Sequence, residues 1–169
     1  FTLFVSMESE ARGDIILCSQ EEIFGYNLLT FKDKNLKMLV PSCFRELLSY
    51  EYILQINHDH NQDISKEIRT LFIQKRDGSI AQAQVCQSSV QYIEGKALCV
   101  LFMKEIHTQH DYLIVSSDGT IHSATSGWLQ SMGLDENRGL SAKFHQLCSK
   151  GKQILEAIFD EKDEETLSS

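Results

Sequence analysis

The feature that most constrains this sequence is a pattern that occurs twice, first in Phe1–Gly25 and again in Tyr112–Gly133. Each copy contains an apolar segment, a polar turn, a second apolar segment and a short segment that ends in glycine. A glycine also closes each turn, at Gly13 and Gly119, and the stretch that follows is two residues longer in the second copy. A duplicated unit of strand, turn, strand and short helix is therefore the first hypothesis.

Composition limits the kinds of surface this chain can present. Its 169 residues are 42% apolar and 24% charged, as in a soluble globular protein, and no apolar run approaches the ~20 residues of a membrane span. The net charge of -8 argues against a nonspecific nucleic-acid or anionic-membrane surface, because those need clustered Lys and Arg. We expect no nucleic-acid partner and no membrane insertion by this segment.

The cysteines indicate a reducing environment. They occur singly, without a CxxC pair, which predicts reduced thiols in an intracellular compartment on the cytoplasmic side. The sequence starts at Phe1 without an initiator or a signal peptide, so we expect a segment of a longer protein. The five cysteines are Cys18, Cys43, Cys86, Cys99 and Cys148.

The first part of the chain predicts a hairpin followed by helices. Apolar and β-branched residues in Thr2–Met7 and Asp14–Cys18 predict two strands. The sequence Ser19-Gln20-Glu21-Glu22 fits a capping box, which predicts a short helix that ends at Gly25 in a left-handed C′ position. A further helical turn is expected in Lys32–Val40, before the only proline, Pro41.

A longer helix is expected over residues 42–56, followed by a polar loop and three strands. The helix would present Phe44, Leu47, Leu48 and Tyr52 as one apolar stripe. The strands are predicted in Glu67–Lys75, after the Asp77-Gly78 hairpin signal, and in Lys96–Met103, which is apolar enough for a central strand. The order predicts an α+β fold, with a five-stranded antiparallel sheet and short helices on one face.

Four segments of residues 1–106 resemble motifs of the PAS domain family. They are Gly13–Ser19 leading to Ile23-Phe24-Gly25-Tyr26, Leu36-Lys37-Met38-Leu39-Val40-Pro41, Gln74-Lys75-Arg76-Asp77-Gly78-Ser79, and Leu98–Ile106. Lys34 or Asn35 replaces the usual glycine of the second motif, and the asparagine that is common after the second strand is absent.

The resemblance implies a PAS domain over residues 1–106, a linker over 107–111 and a partial second PAS-like domain over 112–169. The two copies also resemble the tandem PAS regions of large ciliate proteins. The second copy stops before its own Asp-Gly hairpin and closing strand. Three arrangements are physically admissible: the missing strands follow in the native chain, another chain supplies them, or this half packs against the first copy. We favour the first.

No cofactor is expected in the first copy. Flavin-binding PAS photoreceptors have a reactive cysteine where this chain has Lys34–Leu39, and haem-binding members have a histidine where alignment through Pro41 and Arg45 places Leu48. Cys18 and Cys43 are interpreted as core or surface residues. These replacements remove the groups that would attach either chromophore.

The sequence also predicts no metal site and no catalytic residues. His58-Asp59-His60 lies in a polar loop, His107 and His110 lie in the linker, and His122 and His145 are isolated. Neither a phosphate-binding glycine loop nor a nucleophile elbow occurs. The acidic run 160–165 is interpreted as a solvated helix face or a disordered end.

These observations predict a non-catalytic regulatory module that binds protein partners or neighbouring domains of a larger signalling or scaffold protein. The alternative is a sensor of a small apolar ligand that controls a kinase, cyclase or phosphodiesterase outside this segment. The two differ in the interior, which is filled in the first case and hollow in the second. The side chains expected to fill it are Phe44, Leu47, Leu48, Leu71, Ile73 and Leu101.

Overall fold

The computed structural model describes residues 1–31, 34–45, 53, 68–88, 90–134 and 142–165. The chain forms two compact units, Phe1–Gln109 and His110–Ser169, which we call the first unit and the second unit. Each is described by itself below.

The first unit is built on an antiparallel sheet. Its strands in chain order are β1 (Thr2–Ser6), β2 (Ile15–Cys18), β3 (Glu22–Ile23), β4 (Tyr26–Asn27), β5 (Arg69–Gln74), β6 (Ile80–Gln87), β7 (Gln91–Ile93) and β8 (Lys96–Ile106). The main path across the sheet is β2-β1-β8-β6-β5, and β3 pairs with β4 in a separate small hairpin. The most apolar strand, β8, lies between β1 and β6, which confirms its predicted central position.

The sheet has six strands, so the predicted number of five is wrong. β8 has 11 residues and is longer than β6, which has 8. β6 pairs with the later part of β8, where Gln87 lies opposite Leu101, and β7 pairs with the earlier part, where Gln91 lies opposite Leu98. Two successive strands therefore share one side of β8. The α+β class and the antiparallel pairing are confirmed.

The short helix predicted after Ser19 is also wrong. Glu22–Ile23 is β3, and it pairs with β4 through a two-residue turn at Phe24 and Gly25, whose φ angles are 51° and 77°. Two consecutive positive φ angles match the twist of a hairpin, and glycine suits the second position. Gly25 is therefore a turn residue and not a helix C′ residue.

The Phe24 turn is anchored to the rest of the unit. The ring of Phe24 is 5% exposed and meets the ring of Phe1 edge to face, with centroids 5.2 Å apart. The backbone N–H of Arg76 donates to the Phe24 carbonyl at 3.0 Å. Tertiary contacts thus hold a non-glycine residue in a left-handed conformation that local sequence preference disfavours.

Short helical segments connect β4 to the region before β5. Residues Leu28–Phe31 form α1, and 3-10 turns follow at Leu36–Leu39 and Ser42–Phe44. The Asn35 side chain accepts from the backbone N–H of Lys37 and so caps the first 3-10 turn. The turn predicted before Pro41 is confirmed. Most of the helix predicted over 42–56 and the loop at 57–62 lie outside the described residues.

The hairpin predicted at Asp77-Gly78 is confirmed. The Asp77 carboxylate accepts from the backbone N–H and the hydroxyl of Ser79 at 2.9 and 2.6 Å, and Gly78 has a φ of 90°. Lys75 N–H donates to the Ser79 carbonyl at 2.8 Å, which leaves a three-residue loop. Glycine in the third loop position is typical of such hairpins.

The core of the first unit lies on one face of the sheet. Alternate residues of β6 are buried at Ala81, Ala83 and Val85, as their two-residue period predicts. Side chains from the helical segments cover this face and are fully buried. They include Phe31, Leu36 and Leu39.

The second unit opens with a two-stranded sheet followed by helices. Its elements are β9 (Leu113–Val115), β10 (Ile121–Ala124), α2 (Ser126–Ser131), α3 (Phe144–Leu147) and α4 (Gly151–Glu165). Gly133, with a φ of 66°, follows α2, and Leu134 N–H donates to the Leu129 carbonyl at 2.9 Å. This bond is typical of a glycine C-cap. The predicted short helix therefore occurs in the second copy and is replaced by the β3–β4 hairpin in the first.

Candidate interaction surface

The sheet of the first unit has an apolar strip on the face opposite the core. Strand pairing places Phe4 between Leu17 and Val100, and places Phe102 beside Cys86. We call these five residues the outer face. Leu17 is 54% exposed and Phe102 is 51% exposed. Large apolar side chains thus meet solvent on the central strand β8 and on the edge strand β2, whereas Val100 is only 8% exposed.

A shallow cavity of about 270 Å³ opens beside Phe102. Thr2, Ile68 and Cys86 are among its lining residues, and Ile68 is itself 63% exposed. Lys104 also lines it and contributes a charged group. An apolar centre with a polar margin is the arrangement found in protein interfaces.

Sequence reasoning did not predict the outer face. A signal for it was nevertheless present, because β8 is apolar at successive positions and only one of its faces can cover the core. Its two rows of apolar side chains are Cys99, Leu101 and Met103 on the inner face, and Leu98, Val100 and Phe102 on the outer face.

The inner face carries the side chains that were expected to fill the interior. Ile73 and Leu101 are 0% exposed, and Phe44 and Leu71 are half-buried and pack against the same core. The other two residues of that set lie outside the described residues, at Leu47 and Leu48. The choice between a filled interior and a ligand cavity depends on these two residues, so the ligand-sensing alternative stays a prediction.

One thiol on the inner face is chemically protected. Cys99 is 0% exposed, and burial raises the pKa of its thiol to about 12, since a thiolate would lose its hydration there. Its sulfur lies 3.6 Å from the Ser88 carbonyl oxygen, to which the thiol donates. All five cysteines are free in the structure. Cys99 is therefore a neutral core residue near neutral pH.

We expect iodoacetamide to modify Cys99 at least about 100-fold more slowly than Cys86 at pH 8, because the thiolate is the reactive form. Cys86 is the matched control, since it is half-buried on the outer face of the neighbouring strand. Time-resolved mass spectrometry of tryptic peptides measures both rates in one sample. Equal rates would contradict the assignment of the two residues to opposite faces.

The structure describes some of the positions that were compared with flavin-binding and haem-binding PAS domains. The segment Lys34–Leu39 contains the 3-10 turn capped by Asn35, and Cys43 lies just after it, half-buried. Burial raises the pKa of the Cys43 thiol. Cys18 is buried in β2, whereas the position aligned with a haem ligand, Leu48, lies outside the described residues.

The histidines do not form a metal site among the described residues, where no three His, Cys, Asp or Glu side chains come together. That part of the chain includes His107, His110, His122 and His145. His58 and His60 lie outside it.

A charged cluster lies in the second unit, around Asp118. Lys143 Nζ donates to the Asp118 carboxylate at 2.6 Å and to the Thr120 hydroxyl at 2.7 Å. This ammonium group, together with hydrogen bonds from Ser116 and Thr120, lowers the pKa of the Asp118 carboxyl well below its usual range. The cluster ties the β9–β10 turn to the segment that precedes α3.

The described residues of the first unit define the class of an α+β domain with a six-stranded antiparallel sheet, short helical segments and an apolar outer face. No known protein-family model matches the chain, and no curated protein matches it. Among the described residues, no helix has the length and apolar character needed to cross a membrane.

Proposed function

We propose that the first unit is a PAS-like regulatory module without catalytic chemistry of its own, and that it binds a protein partner through the outer face. The observation that carries this proposal is the exposure of Phe102 on the central strand β8 and of Leu17 on the edge strand β2, on the same face of the sheet. Large apolar side chains exposed on one face of a sheet are typical of binding surfaces in monomeric domains.

The PAS-like part of the proposal is supported by how the four motifs fit into one unit. The strand β1 pairs on one side with β2, which lies in the first motif, and on the other side with β8, which contains the last motif. Two motifs that are far apart in sequence therefore lie in one sheet. The motif at Gln74–Ser79 forms the hairpin between β5 and β6. The segment that ends at Pro41 supplies Leu36 and Leu39 to the core.

The proposed contact has a physical driving force. Burying a large apolar side chain completely contributes about 1.5–3 kcal/mol, and Leu17 and Phe102 each have about half of that burial left to gain. Aromatic side chains at the centre of an interface are frequent hot spots. Phe102 is therefore the expected anchor of the contact.

A photo-cross-linking experiment tests the proposal. A photoreactive phenylalanine analogue at position 102 should give one dominant protein adduct in an extract of the source cells, identified by mass spectrometry. Leu17→Arg should remove that adduct, because the charge would lie beside Phe4 on the same face. Tyr92→Arg is the matched control, since Tyr92 is 80% exposed on β7, and it should leave the adduct unchanged.

Two results would contradict the proposal. One is a scatter of weak adducts with no dominant partner. The other is a dominant adduct that Leu17→Arg leaves intact, since the contact would then not use the outer face.

The purified protein is expected to be colourless, because the positions of the flavin-reactive cysteine and the haem-ligating histidine are occupied by other residues. An absorption spectrum from 350 to roughly 700 nm after gel filtration measures this. A visible band that stays with the protein would instead favour the sensor alternative, a domain that controls an enzyme outside this segment.

The second unit is proposed to be the beginning of a further PAS-like copy within a larger signalling or scaffold protein. Its support is the β9–β10 hairpin, which is followed by helices. The proposal for the outer face does not depend on it.

A further inference from the structure

The hairpin of the second unit repeats the hairpin of the first unit pair by pair. In both, three residue pairs lie in register and one residue of the second strand is unpaired, Ile16 in β2 and His122 in β10. A bulge at the same place is a specific feature of a hairpin. The corresponding pairs are Val5–Ile15 and Val115–Ile121, Phe4–Leu17 and Ile114–Ser123, and Leu3–Cys18 and Leu113–Ala124.

A side-chain hydrogen bond at the open end of the hairpin is also repeated. In the first unit the Ser19 hydroxyl accepts from the backbone N–H of Thr2 at 2.8 Å. In the second unit the Thr125 hydroxyl accepts from the backbone N–H of Tyr112 at 3.2 Å. The predicted helix cap at Ser19 is therefore a strand contact that both units share.

In each unit, a later segment of the chain forms a backbone hydrogen bond with the glycine of the hairpin turn. Leu36 N–H donates to the Gly13 carbonyl at 2.7 Å, and Phe144 N–H donates to the Gly119 carbonyl at 2.8 Å. A side chain just before each of these residues reaches the hairpin turn. The matching bonds are Asn35 Nδ2 to the Arg12 carbonyl at 3.1 Å and Lys143 Nζ to the Asp118 carbonyl at 3.2 Å.

The first unit shows what occupies the outer edge of such a hairpin. The edge of β1 that faces away from β2 is paired with β8. Met7 N–H donates to the Ala97 carbonyl at 2.9 Å, and because such bonds alternate along an antiparallel pair, Leu3 and Val5 also direct their backbone groups to β8. The side chains of Leu3 and Val5 are 0% exposed.

The equivalent edge in the second unit belongs to β9. Ser116 N–H donates to the Thr120 carbonyl at 3.0 Å, so the same alternation turns the backbone groups of Leu113 and Val115 away from β10. Within the part of the chain that the structure describes, β9 pairs with β10 alone. An edge of this kind is a template for another strand.

The side chains beside this edge leave an open groove. Leu113 and Val115 are only half-buried and line a cavity of about 300 Å³ with residues of α4. Two of those α4 residues, Ile154 and Ile158, are 40% and 54% exposed. The counterparts of Leu113 and Val115 in β1, Leu3 and Val5, are 0% exposed in a unit where β8 pairs with β1 and the helical segments cover the same face.

We infer that the edge of β9 is a docking site for an antiparallel β-strand from outside residues 1–169, held in the register that β8 has on β1. This strand would carry large apolar side chains opposite Leu113 and Val115, as β8 places Leu101 opposite Leu3. Backbone hydrogen bonds would supply affinity, and the alternate side chains in the groove would supply specificity. This inference concerns the second unit and does not depend on the function proposed for the outer face.

The test adds a peptide with the sequence of β8, Lys96–Ile106, carrying Cys99→Val, to the isotope-labelled 169-residue protein. Amide hydrogen exchange measured by NMR should slow at Leu113 and Val115, because their N–H groups acquire partners. A peptide of the same composition in scrambled order should leave exchange at both residues unchanged.

A proline variant tests the geometry of the contact. Val115→Pro removes an N–H that faces away from β10, and should weaken peptide binding by about ten-fold or more while β9 and β10 stay paired. Ile114→Thr is the matched control, since the backbone of Ile114 faces β10, and it should change affinity less than about three-fold. Val115→Lys gives a second edge-blocking variant if the proline variant does not fold.

Three results would overturn the inference. The first is unchanged exchange at Leu113 and Val115 with millimolar peptide. The second is slowed exchange confined to β1, which would mean that the peptide replaces β8. The third is slowed exchange that depends on protein concentration without peptide, because a second copy would then occupy the edge.

Discussion

Replacing Phe24 with aspartate is expected to lower the free energy of unfolding of the first unit by about 4 kcal/mol. The ring is 5% exposed and packs against Phe1, so the substitution removes apolar packing and buries a carboxylate. A domain of about a hundred residues would lose more than about 15 °C in melting temperature. Circular dichroism during heating, together with urea titration, measures the effect.

The turn at Glu94 is a control for the backbone. Glu94 also has a φ of 51°, it precedes Gly95 in a hairpin, and its side chain is exposed. Glu94→Asp, like Phe24→Asp, places an aspartate at a φ of 51°. It should change the free energy of unfolding by less than about 0.5 kcal/mol. Comparable losses for Phe24→Asp and Glu94→Asp would assign the effect to the turn conformation and would contradict the packing of Phe24.

Leu101→Ala is expected to cost about 3 kcal/mol, because Leu101 is 0% exposed at the centre of the sheet and its truncation leaves a cavity. The adjacent residue of the same strand, Phe102, faces the other way and is 51% exposed. Phe102→Ala should therefore cost less than about 1.5 kcal/mol although it removes the larger side chain. Chemical denaturation of both variants measures the difference.

The variants Leu101→Ala and Phe102→Ala also distinguish an effect on stability from an effect on partner binding. If the outer face binds a partner, Phe102→Ala should reduce recovery of that partner while the domain stays folded. Leu101→Ala should lower stability and leave the chemistry of the outer face intact. A larger loss of stability for Phe102→Ala than for Leu101→Ala would show that the faces of β8 have been assigned the wrong way round.

Predictions from short sequence patterns were correct where the conformation of a segment depends mainly on its own residues. The hairpin at Asp77-Gly78, the helical turn before Pro41 and the alternation after Gly78 depend on neighbouring residues, and all three are confirmed. The segment after Ser19 was predicted wrongly because its capping residues also fit a strand contact. The Ser19 hydroxyl bonds to Thr2, which lies 17 residues away in sequence.

The outer face needed long-range information. Three different strands contribute Phe4, Leu17 and Phe102. No pattern within one strand predicts that these side chains lie on the same face of the sheet. Strand pairing brings them together because β1 lies between β2 and β8. A sequence pattern shows that β8 is apolar on both faces, but it does not show which of the two is covered.

The sequence by itself determined the α+β class, the antiparallel hairpins and the buried central strand. These follow from local turn chemistry and from the hydrophobic period, which act between residues close in the chain. The tertiary structure alone decided that Phe24 occupies a left-handed turn, that β7 adds a sixth strand, and that Leu17 and Phe102 remain exposed. Each of these depends on contacts between distant segments, whose packing energy exceeds the small conformational preferences of single residues.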